Sequence, residues 1–354
     1  MADQGATSGQ GPNSGQGPNS EQGVAAMEAR AARRSSATRT LLVLLSRYGT
    51  IVGLLAMIFF FWLNAPDIFL SRANIINILS QASLTAIIAC GLTYALVVGE
   101  FDLSIGFVAS FVGLIVTGLM AHEGLPIWLS IILALMIGCG IGGINGVLVT
   151  KIRINAVITT LGIGTMLSGI GFTYSRFPIA SGIPRDFTEI ALSRPILDLP
   201  TPVLIMAAVL VLLWVILNRT DFGQRMQAVG ANIEAARLSG IRVDLVKILA
   251  FVTAGFCAAM TGILLSALLG SGTLGAGDGY LLDAFAAVFL GSATLKEGEF
   301  HIVGTLVGVL ILAVGFNGLS IFGAPTHFQP IFKGGILILA VGMSALARRY
   351  AANL

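Results

Sequence analysis

Ten apolar runs, most of them about the length of a bilayer crossing and nearly free of charge, limit this chain to few folds. A hydrocarbon core of roughly 30 Å takes about 20 residues of helix. The runs are Tyr48–Leu63, Ile76–Val98, Ile105–Met120, Ile127–Thr150, Val157–Tyr174, Pro202–Leu217, Ile248–Leu269, Leu281–Leu295, Val303–Phe322 and Ile331–Leu346. The weakest is Leu281–Leu295, which is short and contains Asp283. Charged residues are only 10% of the chain, against roughly 25% in a soluble domain, so a globule of this composition could not cover itself with polar surface. The 44 glycines fit helices that pack closely where no water drives them together. Alternating strands of about ten residues, which an outer-membrane barrel needs, are absent. The expected class is an all-α integral membrane protein of about ten transmembrane helices.

Basic residues give that count a direction. With both termini in the cytoplasm, fifteen of the 20 Lys and Arg residues fall inside and only Arg72, Arg176, Arg185 and Arg194 fall outside, with Lys333 within the last span. Removing the weak span would put Lys296 on the wrong side, so ten spans are expected. Residues 1–40, with a tandem Gly-Gln-Gly-Pro-Asn-Ser repeat at Gly9–Ser14 and Gly15–Ser20, read as a disordered cytoplasmic tail. Residues 41–350 then form the membrane domain, entered by an uncleaved first helix. Four prolines between Ser175 and Thr201 predict an ordered outer loop with room for one short helix.

The longest charged interruption, residues 218–247, carries Arg219, Asp221, Arg225, Glu234, Arg237, Arg242, Asp244 and Lys247 between two uncharged runs. Its strong helix formers make it more than a linker. Glu234 and Arg237 stand three apart, on one helix face, and Gly240 is suited to a left-handed stop. Such a segment either docks another protein or lies on lipid headgroups.

Other chemistry is sparse. His122, His301 and His327 are scattered, and Cys90, Cys139 and Cys257 sit in apolar runs without ligand spacing. Neither a metal, a cofactor nor an enzyme active site is expected, and the net charge of +3 points to no nucleic acid partner. No Gly-Lys dipeptide occurs, so the chain lacks a phosphate-cradling loop for ATP. Buried carboxylates are costly and often mark ion paths. Asp102, with Ser104, reads better as a helix cap opening the third span, and Asp283 as a cap of the weak one. Asn145, Thr159, Thr160, Asn317 and Gln329 lie in or beside apolar runs and are candidates to line a polar path. The same residue types also tie helices together. Lys333 could snorkel outward or pair with a carboxylate such as Asp278.

Five strings in register across Asn64–Leu346 resemble the ribose, xylose and arabinose permease family of ATP-binding-cassette importers. They are Phe69-Leu70-Ser71 with Asn74, Asn77 and Gln81; Gly99 through Gly106, similar to that family's G-x-x-DLS-x-G signature; Gly142 to Gly146 followed by Thr160-Leu161-Gly162; Glu234-Ala235-Ala236-Arg237-Leu238-Ser239-Gly240; and Gly277-Asp278-Gly279-Tyr280 with Asp283-Ala284 and Leu290-Gly291. The chain departs from the family at Lys296 to Phe300, where glycines are usual, and at Asn155, where proline is common. The resemblance implies a multi-pass permease of the bacterial inner membrane that passes a monosaccharide or polyol inward. It implies three partners: an ATPase subunit that holds a coupling helix at Asn232–Leu238 (Glu234, Ala235, Ala236, Arg237, then Gly240), a periplasmic sugar-binding protein, and a second permease subunit. An ion-coupled carrier of a small polar solute is the alternative.

Overall fold

Helix starts follow the local sequence. In the computed structural model, residues 49–292 and 298–336 apart from 326, together with 338 and 342, are described. The helices are α1 (Gly49–Asn64), α2 (Pro66–Phe69), α3 (Arg72–Val97), α4 (Ile105–Ala121), α5 (Ile127–Thr150), α6 (Ala156–Tyr174), α7 (Arg185–Leu192), α8 (Thr201–Arg219), α9 (Asp221–Ala231), α10 (Ile233–Leu238), α11 (Val243–Leu269), α12 (Gly279–Ser292) and α13 (Ile302–Ile321). A further helix, α14, starts at residue 328. At α3, α6, α9 and α13 a polar side chain caps the start: Ser71 accepts from the Asn74 N–H, Asn155 from Val157 and Ile158, Thr220 from Gly223, and His301 Nδ1 from Gly304. Asn155, the departure from the family's proline, thus satisfies donors that a proline there would leave open.

Among the described residues no β-strand forms, and two isolated bridges, Ile179–Gly272 and Ile196–Leu199, are the strand-like pairings. Among the described residues six helices are long and apolar enough to cross a membrane: α3, α5, α6, α8, α11 and α13. Helices α1, α4 and α12 are apolar but shorter. The tenth run, Ile331–Leu346, lies partly outside the described residues, as do the tail and Lys296.

Burial divides the helices into an inner and an outer set. Within the most apolar stretch of α3, α11 and α13, two thirds of the residues are buried, against about a third in α5, α6 and α8. Helix α11 packs on α5, α3 and α4, while α3 also meets α13, α12 and α8. Close approach sets this arrangement. A Cβ on Gly262 would collide with the Ala109 carbonyl of α4, and one on Gly255 with the Gly138 carbonyl of α5. Only glycine lets three backbones meet there, the packing that lipid-embedded helices rely on. The outer helices turn Trp128, Met136, Ile158, Met166 and Val211 outward, a distribution that water would oppose and hydrocarbon favours.

The loop between α6 and α8 holds the one short helix that its prolines leave room for. Helix α7 buries Phe187 and Ala191 and packs against α11, and the Ile179–Gly272 bridge ties the loop to the α11–α12 connection.

Candidate coupling surface and polar cavity

The charged interruption folds into two helices with different faces. Helix α9 buries Gly223, Met226 and Val229, and Gly230 lies against the Val97 carbonyl at the end of α3, where no side chain would fit. Helix α10 then begins at Asn232, whose Oδ1 accepts from the Ala235 N–H at 3.0 Å. It stops where Gly240 takes φ +80° and the Gly240 and Ile241 N–H groups bond back to Arg237 and Ala236, a left-handed stop of the expected kind. Ala236 is buried, whereas Glu234, Ala235 and Arg237 are exposed. Glu234 and Arg237 are 3.9 Å apart, a surface pair that is worth little by itself. Leu238 is 89% exposed. The helix that holds it there is capped at both ends.

Beside α10 opens a groove of about 600 Å³ lined by Lys151 and Arg153 of the α5–α6 turn and by Arg237, Arg242, Asp244 and Lys247. Lys151 bonds Asp244 at 2.7 Å across it. Deeper, Lys247 pairs with Glu100 on the α3–α4 connection, both side chains being largely buried. The 218–247 segment is therefore linked by charge to residues 98–104.

That connection contains Asp102 and Ser104, both almost fully buried. Asp102 Oδ1 accepts from the Ser104 N–H at 2.9 Å and from its hydroxyl at 2.5 Å. Asn145 of α5 donates to Ser104 Oγ at 2.9 Å, and the Leu103 N–H donates to Thr160 Oγ1 of α6 at 3.0 Å. Asp102, Ser104 and Asn145 thus form one side-chain network and Thr160 holds the Leu103 backbone between them, which fixes the start of α4 against α5 and α6. Asn145 Oδ1 and the hydroxyl of buried Thr159 have no hydrogen-bond partner among the described residues. Asn317 exchanges two amide hydrogen bonds with Asn74, at 2.8 and 2.9 Å, joining α13 to α3.

Gln329 stands apart from these. It lines a cavity of about 490 Å³ with Asn77, Gln81, Tyr280, Asp283 and Lys333. Asp283 lies inside α12 rather than ahead of it, and its carboxylate meets Lys333 Nζ at 2.5 Å. Lys333 therefore pairs with Asp283 and not with Asp278, which accepts from Ser110 at 2.6 Å instead. Asn77, Gln81 and Tyr280, which line this cavity, are not among the sequence candidates for a polar path. The i,i+4 spacing of Asn77 and Gln81 on an apolar helix was the available signal, and the two amides bond at 3.3 Å. No group of three or more metal-ligating side chains occurs among the described residues.

An all-helical molecule with a lipid-suited exterior and polar groups held inside has the make-up of a multi-pass membrane protein. The family profile described as branched-chain amino acid transport system / permease component matches residues 74–341. This chain belongs to that family of importer permease subunits, which are not enzymes and leave ATP hydrolysis to a separate chain. It is 38% identical to the ribose import permease protein of Haemophilus influenzae, over 78% of this chain and 86% of that one. It is 32% identical to the xylose transport system permease protein of the same organism (83% and 94%). Identity to the D-allose transport system permease protein of Escherichia coli is 30% (85% and 92%). No solved structure matches the chain.

Proposed function

We propose that this chain is the membrane-spanning permease subunit of an ATP-binding-cassette importer that carries a monosaccharide or related polyol into the cytoplasm of a bacterium. The sugars named in its relatives, ribose, xylose and allose, support the substrate class. The observation that carries the mechanism is α10, a capped helix whose Leu238 stands in solvent and whose neighbour α9 is seated on the end of α3. In this reading residues 218–247 are cytoplasmic, and Glu234, Ala235, Ala236, Arg237 and Gly240 form the element that an ATPase subunit grips. Movement of α10 reaches α11 directly through the short Ser239–Arg242 turn. It reaches the α3–α4 connection through Lys247 and Glu100.

The same reading has ten spans, residues 41–350 as the permease domain in the inner membrane, and residues 1–40 as a cytoplasmic tail with the C-terminus on the same side. The 175–201 loop faces outward, where a soluble sugar-binding protein delivers cargo, and a second permease subunit completes the passage. The ion-driven alternative gains nothing from the buried acids: Asp102 is committed to Ser104 and Asp283 to Lys333.

Purification of the tagged full chain in mild detergent, alongside a Gly240→Pro, Glu234→Lys variant, tests the docking role. Mass spectrometry is expected to find an ATPase subunit with the native chain and to lose it with the variant. Equal recovery by both would move docking away from α10.

A further inference from the structure

The cavity between α3, α12 and α14 lies at the end of the molecule opposite the coupling surface. Helix α3 meets α9 at Val97, and Gln81 and Asn77 stand 16 and 20 residues earlier, which at 1.5 Å per residue is about 24 and 30 Å away. Its volume of about 490 Å³ falls in the roughly 300–1,000 Å³ range of small-molecule sites. Its chemistry is unlike that of the rest of the interior. The Asp102–Ser104 bond and the Asn74–Asn317 pair spend their polar groups on protein partners, whereas here three amides, a phenol, a carboxylate and an ammonium line one open cavity.

We propose that this cavity is the contact site for the transported molecule on the outer half of the permease, and that the molecule it takes is an uncharged polyhydroxylated one; the substrate half of this inference rests on the importer reading above. Asp283 and Lys333 neutralise each other at 2.5 Å, so the site carries no net charge with which to draw in an ion. What remains is one carboxylate with free lone pairs beside one ammonium with free N–H groups. A vicinal diol matches that pair without separating it, one hydroxyl donating to Asp283 while its neighbour accepts from Lys333. An amino acid would have to split the pair, placing its carboxylate on Lys333 and its ammonium on Asp283, and would press an apolar side chain against Asn77, Gln81 and Gln329. Tyr280 and Phe316, the latter with its ring centre 5.8 Å from Lys333 Nζ, supply flat apolar faces for the C–H side of a sugar ring. Several modest contacts in place of one tight pocket also suit a passage, since cargo held too firmly is not released.

The experiment labels single cysteines from the outside. Gln81→Cys and Gln329→Cys, in the full chain in native membranes, are treated with a membrane-impermeant thiol reagent alone, with saturating D-ribose, and with saturating L-leucine. The wild type, whose Cys90 and Cys257 are buried and Cys139 half-buried, gives the background, and Phe177→Cys, at a position 79% exposed on the α6–α8 loop, gives the unprotected control. Uptake of D-ribose, D-xylose and D-allose by the wild type is measured in the same cells. The expected result is labelling at both positions that ribose slows several-fold and leucine does not, with Phe177→Cys unaffected. Cysteines that fail to react, or that react equally with ribose present although the wild type takes up ribose, would overturn the cavity assignment and leave the importer reading standing. Protection by leucine without protection by ribose would overturn the polyol. Absence of uptake of all three sugars, together with no ATPase subunit on the purified native chain, would overturn the importer reading itself, and the substrate assignment with it.

Discussion

At the scale of single residues, the interior polar groups divide by what they touch. Asp102 satisfies both the backbone N–H and the hydroxyl of Ser104, so Asp102→Ala strands two buried groups and is expected to cost about 1–3 kcal/mol. Asn145→Ala removes a single interhelical bond, and such bonds in membranes average about 0.6 kcal/mol with a ceiling near 1.7. Thermal unfolding in detergent should therefore rank Asp102→Ala clearly below Asn145→Ala; the reverse order would mean that the network does not hold the α3–α4 connection. The sequence pointed to Asp102 and Ser104 because their contact is local, two residues apart, but the bond lies ahead of α4: Ser104 takes the N-cap position without a side-chain cap bond, and Asp102 holds Ser104 rather than the helical N–H groups. It could not separate Asn145, Thr160 and Asn317 from Gln329, since all are polar residues in apolar surroundings. Their partners, Ser104, Leu103 and Asn74, lie 41, 57 and 243 residues away. The Asp283–Lys333 pair was hidden for the same reason, with Asp278 an equally plausible partner until the helices were placed.

At the scale of elements, α10 is legible almost entirely from its own residues: Asn232 to open it, good helix formers within it, and Gly240 at φ +80° to close it. The exposure of Leu238 is what the fold adds. Because that side chain touches almost nothing in this chain, Leu238→Asp is expected to leave stability within about 0.5 kcal/mol of the wild type. As the anchor of a docking surface Leu238 would belong to the minority of interface residues whose loss costs more than about 1 kcal/mol of binding, and the account then expects recovery of the ATPase to fall roughly tenfold, the equivalent of about 1.4 kcal/mol. Unchanged recovery together with an unchanged melting temperature would show that Leu238 faces solvent or lipid in the assembled importer. The helix pairs made by Gly255 and Gly262 were not legible. Glycine abundance announced close packing, but 44 glycines do not say which backbones meet.

At the scale of the whole molecule, the apolar runs announced an all-helical membrane protein, and helices of this class follow: six long apolar helices and three shorter ones among the described residues. Orientation rests on the basic residues. Reporter fusions after Arg153 and Lys247 are expected to report the cytoplasm and one after Arg185 the outside; an outside signal after Lys247 would reverse the coupling surface and leave α10 nothing to dock. Distance gives the molecule its logic. The α9–α10 end and the polar cavity are separated by most of the length of α3, and α3 and α11 pack together as the inner pair joining them.

The central claim is that this chain moves its cargo on ATP hydrolysed elsewhere, and energised uptake tests it most directly. With the co-purified ATPase and binding protein in proteoliposomes, labelled D-ribose, D-xylose and D-allose are offered with ATP, in the presence of vanadate or of ionophores that collapse proton and sodium gradients. The account predicts uptake of a sugar that vanadate abolishes and ionophores leave intact. Uptake that persists in vanadate and stops with the gradients would make the protein an ion-driven carrier.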